Sequence, residues 1–431
     1  MRVATNFSNR TLGFITVAAV LLGCALRLAW PLEIEYKADE AYMFARSQQV
    51  GVSEPWPALG MPSGAGGVRN PGLGVWLFAG LAKFTGVTTP VGLARVVQGL
   101  NCAALVALGI FTLRFAGVER RVWLWALNLA ALSPTAILLQ RKIWAQSVLP
   151  LLCVLMLMAW WRRRTFIGAL GWAALCLLAA QVHMTGFFVF GALVLWTVLF
   201  RRDSMHGRGL ALGAIVGGLT LVPWLRATWF DGSASGAAPR LWHVFGGEFW
   251  RLWATEGFGL GLGQNFGTDW LPLMRGPVWG GHDTWLVGAA EMGLLGILAW
   301  FLAQAVAELW PERRHWRAGF AGLGAAASES AFLRNALMIG YGVLLSLPDF
   351  NLFRHYLLIT FPFAYVWLAA LALQRGARWV VVNEKLLLVA LALNLFVALQ
   401  VFAFLRENGG APRGDFGASW RAQIAAGAIT P

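Results

Sequence analysis

The feature that most constrains this chain is a series of long apolar runs that recurs from residue 12 to residue 404. Each run is about 17 to 25 residues long, which matches the roughly 20 helical residues needed to cross about 30 Å of hydrocarbon. A transmembrane β-barrel would instead show shorter segments of alternating hydrophobicity. Hydrophobic residues make up 58% of the chain and charged residues only 13%, which excludes an ordinary soluble domain. The sequence therefore predicts an all-α polytopic membrane protein with a single domain over residues 1–431.

The net charge of +14 comes from basic residues that stand in short clusters between the apolar runs. These residues form no basic stripe interleaved with aromatic side chains, so no nucleic-acid partner is expected. Their position instead indicates the cytoplasmic ends of membrane spans. The cysteines lie inside apolar runs without metal-ligand spacing, so the sequence predicts neither a disulfide nor a zinc site at Cys24, Cys102, Cys153 or Cys176.

The order of the basic clusters predicts the topology. Arg2 and Arg10 precede the first apolar run, which places the N-terminus in the cytoplasm. Segment 71–86 is apolar but short, and if it spanned the membrane the basic cluster at 114–121 would fall outside. We therefore interpret it as a helix that lies at the outer interface. About 11 transmembrane helices remain: 12–30, 90–113, 122–138, 143–161, 166–182, one that ends at Arg201, 209–228, 285–309, 331–347, 356–373 and 379–404.

In this topology three segments lie on the external face: a first loop with interfacial helices at 31–89, a long loop at 229–284, and a C-terminal tail at 405–431. Most carboxylates of the chain fall on that face, although Asp and Glu contribute little to membrane topology. The first loop alone carries Glu33, Glu35, Asp39, Glu40 and Glu54. This concentration favours an external catalytic loop, and an acidic loop that is only solvated is the alternative interpretation.

Several ionisable side chains are expected at membrane depth on the same external face. Such groups are costly to place there and are therefore functional candidates. Simpler roles are also open, since the basic side chains can extend to lipid phosphates and the histidine after the fifth span can cap a helix end. The residues concerned are Arg141, Lys142, His183, Arg354, His355 and Tyr356.

The order of several short motifs resembles one family, the integral-membrane GT-C glycosyltransferases. The resemblance is to the family-39-like enzymes related to protein O-mannosyltransferases and aminoarabinose transferases, and it covers most of residues 10–375. That family usually shows two prolines where this chain has Pro71-Gly72, which affects the geometry of that turn. The motifs are Asp39-Glu40-Ala41-Tyr42, Asn70-Pro71-Gly72-Leu73, Ser133-Pro134, Gln140-Arg141-Lys142-Ile143-Trp144, Gln181-Val182-His183, and His355-Tyr356 with Pro362.

The resemblance implies transfer of a sugar from a polyprenyl-phosphate-linked donor to an acceptor hydroxyl on the external face of a bacterial inner membrane. By match to the family motif, Asp39 is the general base and Glu40 stands beside it. A single displacement with inversion is expected because a phosphate leaves without acid assistance. Cations near the interface are needed to offset the charge of the departing phosphate, and Arg141, Lys142 and Arg354 are placed to supply them. The substrate-binding candidates are Tyr42, Arg69, Arg141, Lys142, His183, Arg354, His355 and Tyr356.

The sequence leaves several points of this interpretation open. Glu40 either orients His183 or helps to bind a divalent cation, because carboxylates and phosphate oxygens suit hard cations. A metal requirement, the sugar and the oligomeric state are not indicated by any motif. The acceptor is a glycan, a lipid or a protein hydroxyl.

Two other functions are compatible with parts of the sequence. The stretch from His282 to Gly296 is similar to the histidine motif that ends the large external loop of O-antigen ligases and polymerases, and in that interpretation His282 is the catalytic residue. Those ligases, however, lack an acidic segment directly after the first span. A transporter or flippase of lipid-linked sugars would show inverted repeats with broken spans in matching halves, and no convincing repeat is visible.

Overall fold

The computed structural model describes residues 7–62, 69–231, 246–311, 326, 328–348, 351–374 and 379–429, without the side chains of residues 230 and 231. Most of this chain is helical. The longer helices are Asn9–Leu28, Ala38–Gln49, Leu73–Thr85, Pro90–Thr112, Gly117–Leu132, Leu149–Trp160, Phe166–Val182, Thr185–Arg201, Gly207–Leu219, Val222–Asp231, Leu286–Leu309, Phe363–Gln374 and Val380–Asn408. Shorter helical segments are Pro134–Leu139, Ala145–Val148, Arg202–Ser204, Glu248–Glu256, Leu262–Phe266, Gly267–Asp269, Trp270–Arg275, Glu329–Asn335, Ala336–Tyr341, Gly342–Ser346, Arg354–Thr360 and Trp420–Ala425.

These helices coincide with the apolar runs, and the prediction of an all-α polytopic membrane protein is confirmed. Five helices are long and apolar enough to cross a membrane, and two bent pairs raise that number to seven if each pair is one span. The bends are 61° after Leu219 and 80° after Thr360. The other four expected spans coincide with shorter helices, so the total of about 11 spans stays a prediction.

The first loop contains two helices, Ala38–Gln49 and Leu73–Thr85. The second has 13 residues and ends at Gly86, which adopts a left-handed conformation with φ of 69°. Thirteen helical residues extend only about 20 Å, less than the hydrocarbon thickness of roughly 30 Å. The helix Leu149–Trp160 is as short and coincides with an expected span, so length alone does not separate the two cases. The interfacial placement of segment 71–86 stays a prediction.

Small residues allow two neighbouring helices to pack at very short range. The helix Gly207–Leu219 lies along Phe166–Val182, with glycines spaced four residues apart on the contact side. A Cβ atom at these positions would lie 2.2–2.7 Å from main-chain oxygens of the facing helix, so only glycine fits. The pairs are Gly209 with Phe166, Gly213 with Leu170, and Gly217 with Ala174.

Parts of the first loop, the long loop and the C-terminal tail contact one another. In the tail, a two-stranded sheet of Gly410–Ala411 and Gly417–Ala418 precedes the helix Trp420–Ala425. Trp420 N donates to Ile34 O at 3.0 Å, which joins the tail to the first loop. Phe416 N donates to Asn265 O at 2.8 Å, which joins the tail to the long loop. These contacts place the described parts of the three segments on one face of the helical bundle.

Two further antiparallel pairs complete that face. The first loop contains the strands Leu59–Pro62 and Arg69–Pro71, which pair antiparallel. The long loop contains a short hairpin formed by Val278–Trp279 and His282–Asp283.

Candidate active site

The candidate site begins where the first loop turns into the helix Ala38–Gln49. Its first turn carries Asp39 and Glu40, and negative charge is favourable there because unpaired N–H groups point outward at a helix N-terminus. Glu40 bends back and its Oε2 atom accepts from the backbone N of Lys37 at 3.2 Å. This bond caps the helix and directs the carboxylate of Glu40 inward, where the residue is fully buried.

Four charged side chains, Glu35, Lys37, Glu40 and Lys142, form a compact group that we call the lysine–glutamate cluster. Lys142 Nζ lies 2.9 Å from Glu35 Oε2 and 3.8 Å from Glu40 Oε1. Lys37 Nζ lies 2.8 Å from Glu35 Oε1. Glu35, Glu40 and Lys142 are buried, and buried charges of this kind are stable only when they are paired.

The protonation of Glu40 decides the net charge of this cluster. Burial raises the pKa of Glu40 to about 8, the negative charge of Glu35 adds to the rise, and Lys142 opposes it. Glu40 is therefore mostly protonated at pH 7. The two ammonium groups then face one buried carboxylate, that of Glu35, and the exposed carboxylate of Asp415, which lies 2.7 Å from Lys37 Nζ. A neutral Glu40 thus removes a second buried negative charge that would repel an anionic ligand.

Aromatic rings form a wall beside the cluster. Lys142 Nζ lies 4.2 Å from the ring centroid of Trp144, and the ring of His355 meets Trp144 edge to face at 4.8 Å. The ring of His183 follows at 5.8 Å from His355 and 5.3 Å from Tyr356. A continuous series of side-chain contacts thus links Glu40 and Lys142 to His183, His355 and Tyr356. The sequence alone predicts only that these residues lie on the same external face.

His183 is held by its own loop. It follows the helix Phe166–Val182, and its Nδ1 atom lies 2.6 Å from the Thr185 hydroxyl. Burial lowers the pKa of His183 to about 4, so the imidazole is neutral at physiological pH. A neutral ring here acts as a hydrogen-bonding and packing group and adds no charge to the site.

Asp39 and Tyr42 lie on the more open side of the same helix. Asp39 is partly exposed, and among the described residues its side chain forms no hydrogen bond or ion pair. Tyr42 is partly buried and packs against the apolar core. A carboxylate that is not engaged by protein groups is available to an incoming molecule.

Arg141 has a different place from the one expected of a phosphate ligand. It is 2% exposed, and its Nη1 atom donates to the carbonyl oxygens of Leu26 and Ala29, both at 2.6 Å. Its Nη2 atom donates to Trp30 O at 2.9 Å. The guanidinium therefore closes the C-terminal end of the first helix, where free carbonyl groups attract a cation. In this geometry it is not free to bind a phosphate.

Arg354 is likewise engaged by the protein. Its Nη1 atom lies 3.0 Å from Glu256 Oε2, and its Nη2 atom donates to the Thr255 hydroxyl at 2.9 Å. Gly261 packs against this guanidinium, where a Cβ atom would lie 1.9 Å from Arg354 Nε. Arg354 thus anchors the long loop directly beside His355, and the expectation of a phosphate contact does not fit this geometry.

Two other residues singled out by sequence lie apart from the cluster. Arg69 is in the first-loop sheet, where its Nε atom donates to Gly60 O at 3.0 Å and its carbonyl oxygen accepts from the indole of Trp224 at 2.8 Å. His282 is exposed in the long-loop hairpin, paired through its backbone with Trp279. Neither residue contacts the lysine–glutamate cluster among the hydrogen bonds and ion pairs of the described residues.

Sequence reasoning missed Glu35 and Lys37 as site residues, although a signal was present. The segment before the loop helix is extended, and residues two apart in an extended chain point to the same side. Glu33, Glu35 and Lys37 follow that spacing. Asp415 was also missed, because the contact of its Oδ1 atom with Lys37 Nζ, at 2.7 Å, joins residues 378 positions apart.

The cluster does not fit a divalent cation. In the described ranges, no three His, Cys, Asp or Glu side chains are grouped so as to hold a metal ion. The ammonium groups of Lys37 and Lys142 instead occupy the space next to the Glu35 oxygens where a cation would bind.

The fold is that of a polytopic membrane protein, with an acidic first loop over a bundle of helices. The chain is similar in structure to ArnT from Cupriavidus metallidurans, solved as a crystal structure bound to undecaprenyl phosphate, with a TM-score of 0.52 and 15% sequence identity. The match covers 98% of this chain and 80% of ArnT, and it confirms the GT-C fold that the sequence motifs indicated. The sequence matches no protein-family model and no curated protein.

Proposed function

We propose that this protein is an inverting glycosyltransferase that moves a sugar from a polyprenyl-phosphate-linked donor to an acceptor hydroxyl. The observation that carries the proposal is the position of Asp39, which is partly exposed and unpaired beside a buried cluster with two lysines. A base and a cationic site next to each other are what transfer from a phosphate-linked sugar needs.

The donor phosphate is proposed to bind near Lys37 and Lys142. ArnT, which shares the fold, was crystallised with undecaprenyl phosphate, so a lipid-linked phosphate is a ligand that this architecture can accommodate. With Glu40 protonated, Glu35 is the carboxylate buried between the two lysines, and the exposed Asp415 pairs with Lys37. Lys37 is 33% exposed and is the more accessible of the two.

The reaction is a single displacement at the anomeric carbon of the sugar. The acceptor oxygen forms a bond to that carbon as the bond to the phosphate oxygen breaks, and the configuration inverts. Asp39 takes the proton of the acceptor hydroxyl, and the electron pair of the broken bond stays on polyprenyl phosphate. Lys37 and Lys142 stabilise the added charge on that phosphate, since preorganised cations are most effective where charge develops.

The location that best suits this activity is the external face of a bacterial inner membrane, with the N-terminus in the cytoplasm. Nucleotide sugars are not expected outside the cytoplasm, which is the reason for a lipid-linked donor. The contacts among the first loop, the long loop and the tail support one common face for these segments. A glycan, lipid or protein hydroxyl is the proposed acceptor.

The test is a deletion strain whose envelope glycans and glycolipids are compared with those of the parent by mass spectrometry. One component should lose a sugar, and the wild-type gene should restore it. Asp39→Asn should fail to restore it, because Asn keeps the size of Asp but cannot take the proton, and positioned bases contribute roughly 10²–10⁴ in rate.

The matched control is Asp203→Asn, which removes an exposed carboxylate at the opposite end of the helix Thr185–Arg201 from His183. It should restore the sugar fully at an equal protein level. Full restoration by Asp39→Asn would show that Asp39 is not the base. Inactivation by His282→Ala combined with an active Asp39→Asn variant would favour the ligase-like alternative.

A further inference from the structure

A groove at the opposite end of the bundle from the lysine–glutamate cluster ends at two arginines. It has a volume of about 1010 Å³ and is open to the surroundings. It lies between the C-terminal end of the helix Pro90–Thr112 and the segment 158–171. The other end of that helix joins the first loop, and 23 residues place the two ends roughly 34 Å apart.

The walls of the groove are apolar and face outward. Ile110 is 59% exposed and Ile167 is 79% exposed, and Met158 also lines the groove. In a soluble protein such exposure would be unfavourable. On the lipid-facing side of a membrane helix it provides a surface for acyl chains.

The two arginines are Arg114 and Arg162; aromatic rings contact the side chain of Arg114, and a turn fixes the backbone of Arg162. The guanidinium of Arg114 lies 4.8 Å from the ring centroid of Phe111 and 5.5 Å from that of Trp161, so it rests on an aromatic surface. The carbonyl oxygen of Arg162 accepts from both the backbone N and the hydroxyl of Thr165, each at 2.8 Å.

No acidic side chain neutralises this pair among the described residues. Neither Arg114 nor Arg162 forms an ion pair there, whereas the neighbouring Arg163 is bound to Glu329 at 2.8 Å. Burial against the rings lowers the pKa of Arg114, and repulsion from Arg162 lowers it further. Two adjacent positive charges that repel each other gain most from a shared anion.

We propose that this groove binds one anionic phospholipid, with its phosphate between Arg114 and Arg162 and an acyl chain along Ile110, Met158 and Ile167. The planar guanidinium suits phosphate oxygens because it offers paired N–H donors. The apolar walls next to a cationic end match a lipid, in which a chain is attached to a charged head group. Basic sites of this kind retain anionic lipids at the membrane surface.

The test uses the purified full chain in detergent, to which phosphatidylglycerol or phosphatidylcholine of equal chain length is added. Native mass spectrometry then measures the dissociation constant of the first bound lipid. The wild-type protein should bind phosphatidylglycerol more tightly than phosphatidylcholine. The double variant Arg114→Gln with Arg162→Gln should bind phosphatidylglycerol about tenfold more weakly, since each arginine near a head group contributes on the order of a few-fold.

The matched control is Arg202→Gln with Arg208→Gln, which removes two exposed arginines at the same end of the bundle but outside the groove. This control should keep the wild-type preference for phosphatidylglycerol. Equal weakening in both double variants would mean that only the overall positive charge attracts the lipid. That result overturns the proposal, and so does a wild-type protein that shows no preference for phosphatidylglycerol over phosphatidylcholine. Sugar transfer at the other face should be unchanged in both double variants.

Discussion

At the scale of single residues, the environment of each arginine determines its role more than its position in a motif. The sequence indicates Arg141 and Arg354 as site candidates because charged side chains at membrane depth are costly and often functional. The same cost requires that such groups be satisfied by the protein itself. Arg141 donates hydrogen bonds to carbonyl oxygens at the end of the first helix, and Arg354 forms an ion pair with Glu256. Lys142 is the basic residue of the motif segment that joins the candidate site.

The raised pKa of Glu40 leads to a prediction about pH. Burial and Glu35 hold the pKa of Glu40 at about 8, above its usual value of 4.5, so the carboxyl is neutral below pH 8 and becomes charged as pH rises through that value. The new negative charge lies 3.8 Å from Lys142 and should weaken binding of a lipid phosphate. We expect undecaprenyl phosphate, measured by tryptophan fluorescence titration, to bind more weakly at pH 9 than at pH 7.5.

The matched variant for this prediction is Glu40→Gln, which keeps the shape of the side chain and its bond to Lys37 N but does not ionise. Its affinity for undecaprenyl phosphate should stay nearly constant over the same pH range. A parallel fall in affinity for both proteins would assign the pH dependence to another group.

At the scale of elements, the tail supports the first loop. Trp420 is 4% exposed, and its ring meets Tyr36 edge to face at 4.5 Å. Gln423 Nε2 donates to Tyr36 O at 2.6 Å. Together with the contact between Asp415 and Lys37, these bonds hold the extended segment that carries Glu35 and Lys37.

Trp420→Ala should therefore release the tail and weaken the site. Truncation of a buried tryptophan to alanine lowers the folding free energy by about 3–5 kcal/mol. This loss is larger than the free energy that holds a short surface segment in place. We expect faster proteolysis of the tail and weaker binding of undecaprenyl phosphate, while the helical bundle stays folded. Trp279→Ala, at an 80% exposed position of the long-loop hairpin, is the control and should change neither measurement.

A second element, the long loop, depends on a glycine next to Arg354. A methyl group at position 261 would lie 1.9 Å from Arg354 Nε, and the arginine cannot move away without breaking its ion pair with Glu256. Gly261→Ala should lower the free energy of unfolding by about 1–3 kcal/mol, as other forced overpacking does. The measurement is thermal unfolding in detergent.

The control for the long loop is Gly296→Ala in the helix Leu286–Leu309. No atom lies within 4 Å of a Cβ at that position, and alanine is the better helix former. Gly296→Ala should leave stability unchanged or raise it slightly. If Gly261→Ala is equally harmless, the close packing around Arg354 is not needed for the fold.

At the scale of the whole molecule, the packing of separate segments bears on membrane topology. The tail contacts both the first loop and the long loop, so these three regions share one face. Reporter fusions after Asp231 and after Pro431 should therefore both give an external signal. A cytoplasmic signal from either fusion would contradict the span assignment, beginning with the interfacial placement of segment 71–86.

Much of the fold could be predicted from sequence because the membrane imposes simple requirements. Every backbone polar group must be paired within the bilayer, so long apolar runs can only be helices. The bent helices after Leu219 and Thr360 and the close helix pair with Gly209, Gly213 and Gly217 could not be placed in this way. Those features depend on which helices meet, and apolar runs carry little information about their partners.

The class of protein, the helical segments and the loop that carries Asp39 and Glu40 follow from the amino-acid sequence. Hydrophobicity over about 20 residues and short motifs are local properties, and both can be recognised along the chain. Which charges belong to the candidate site depends on the folded arrangement of the helices and loops. Glu35, Lys37, Lys142 and Asp415 meet across separations of up to 378 residues, whereas Arg141 turns to the end of the first helix. The physical reason is that a buried charge takes its role from the partners around it, and the fold alone brings those partners together.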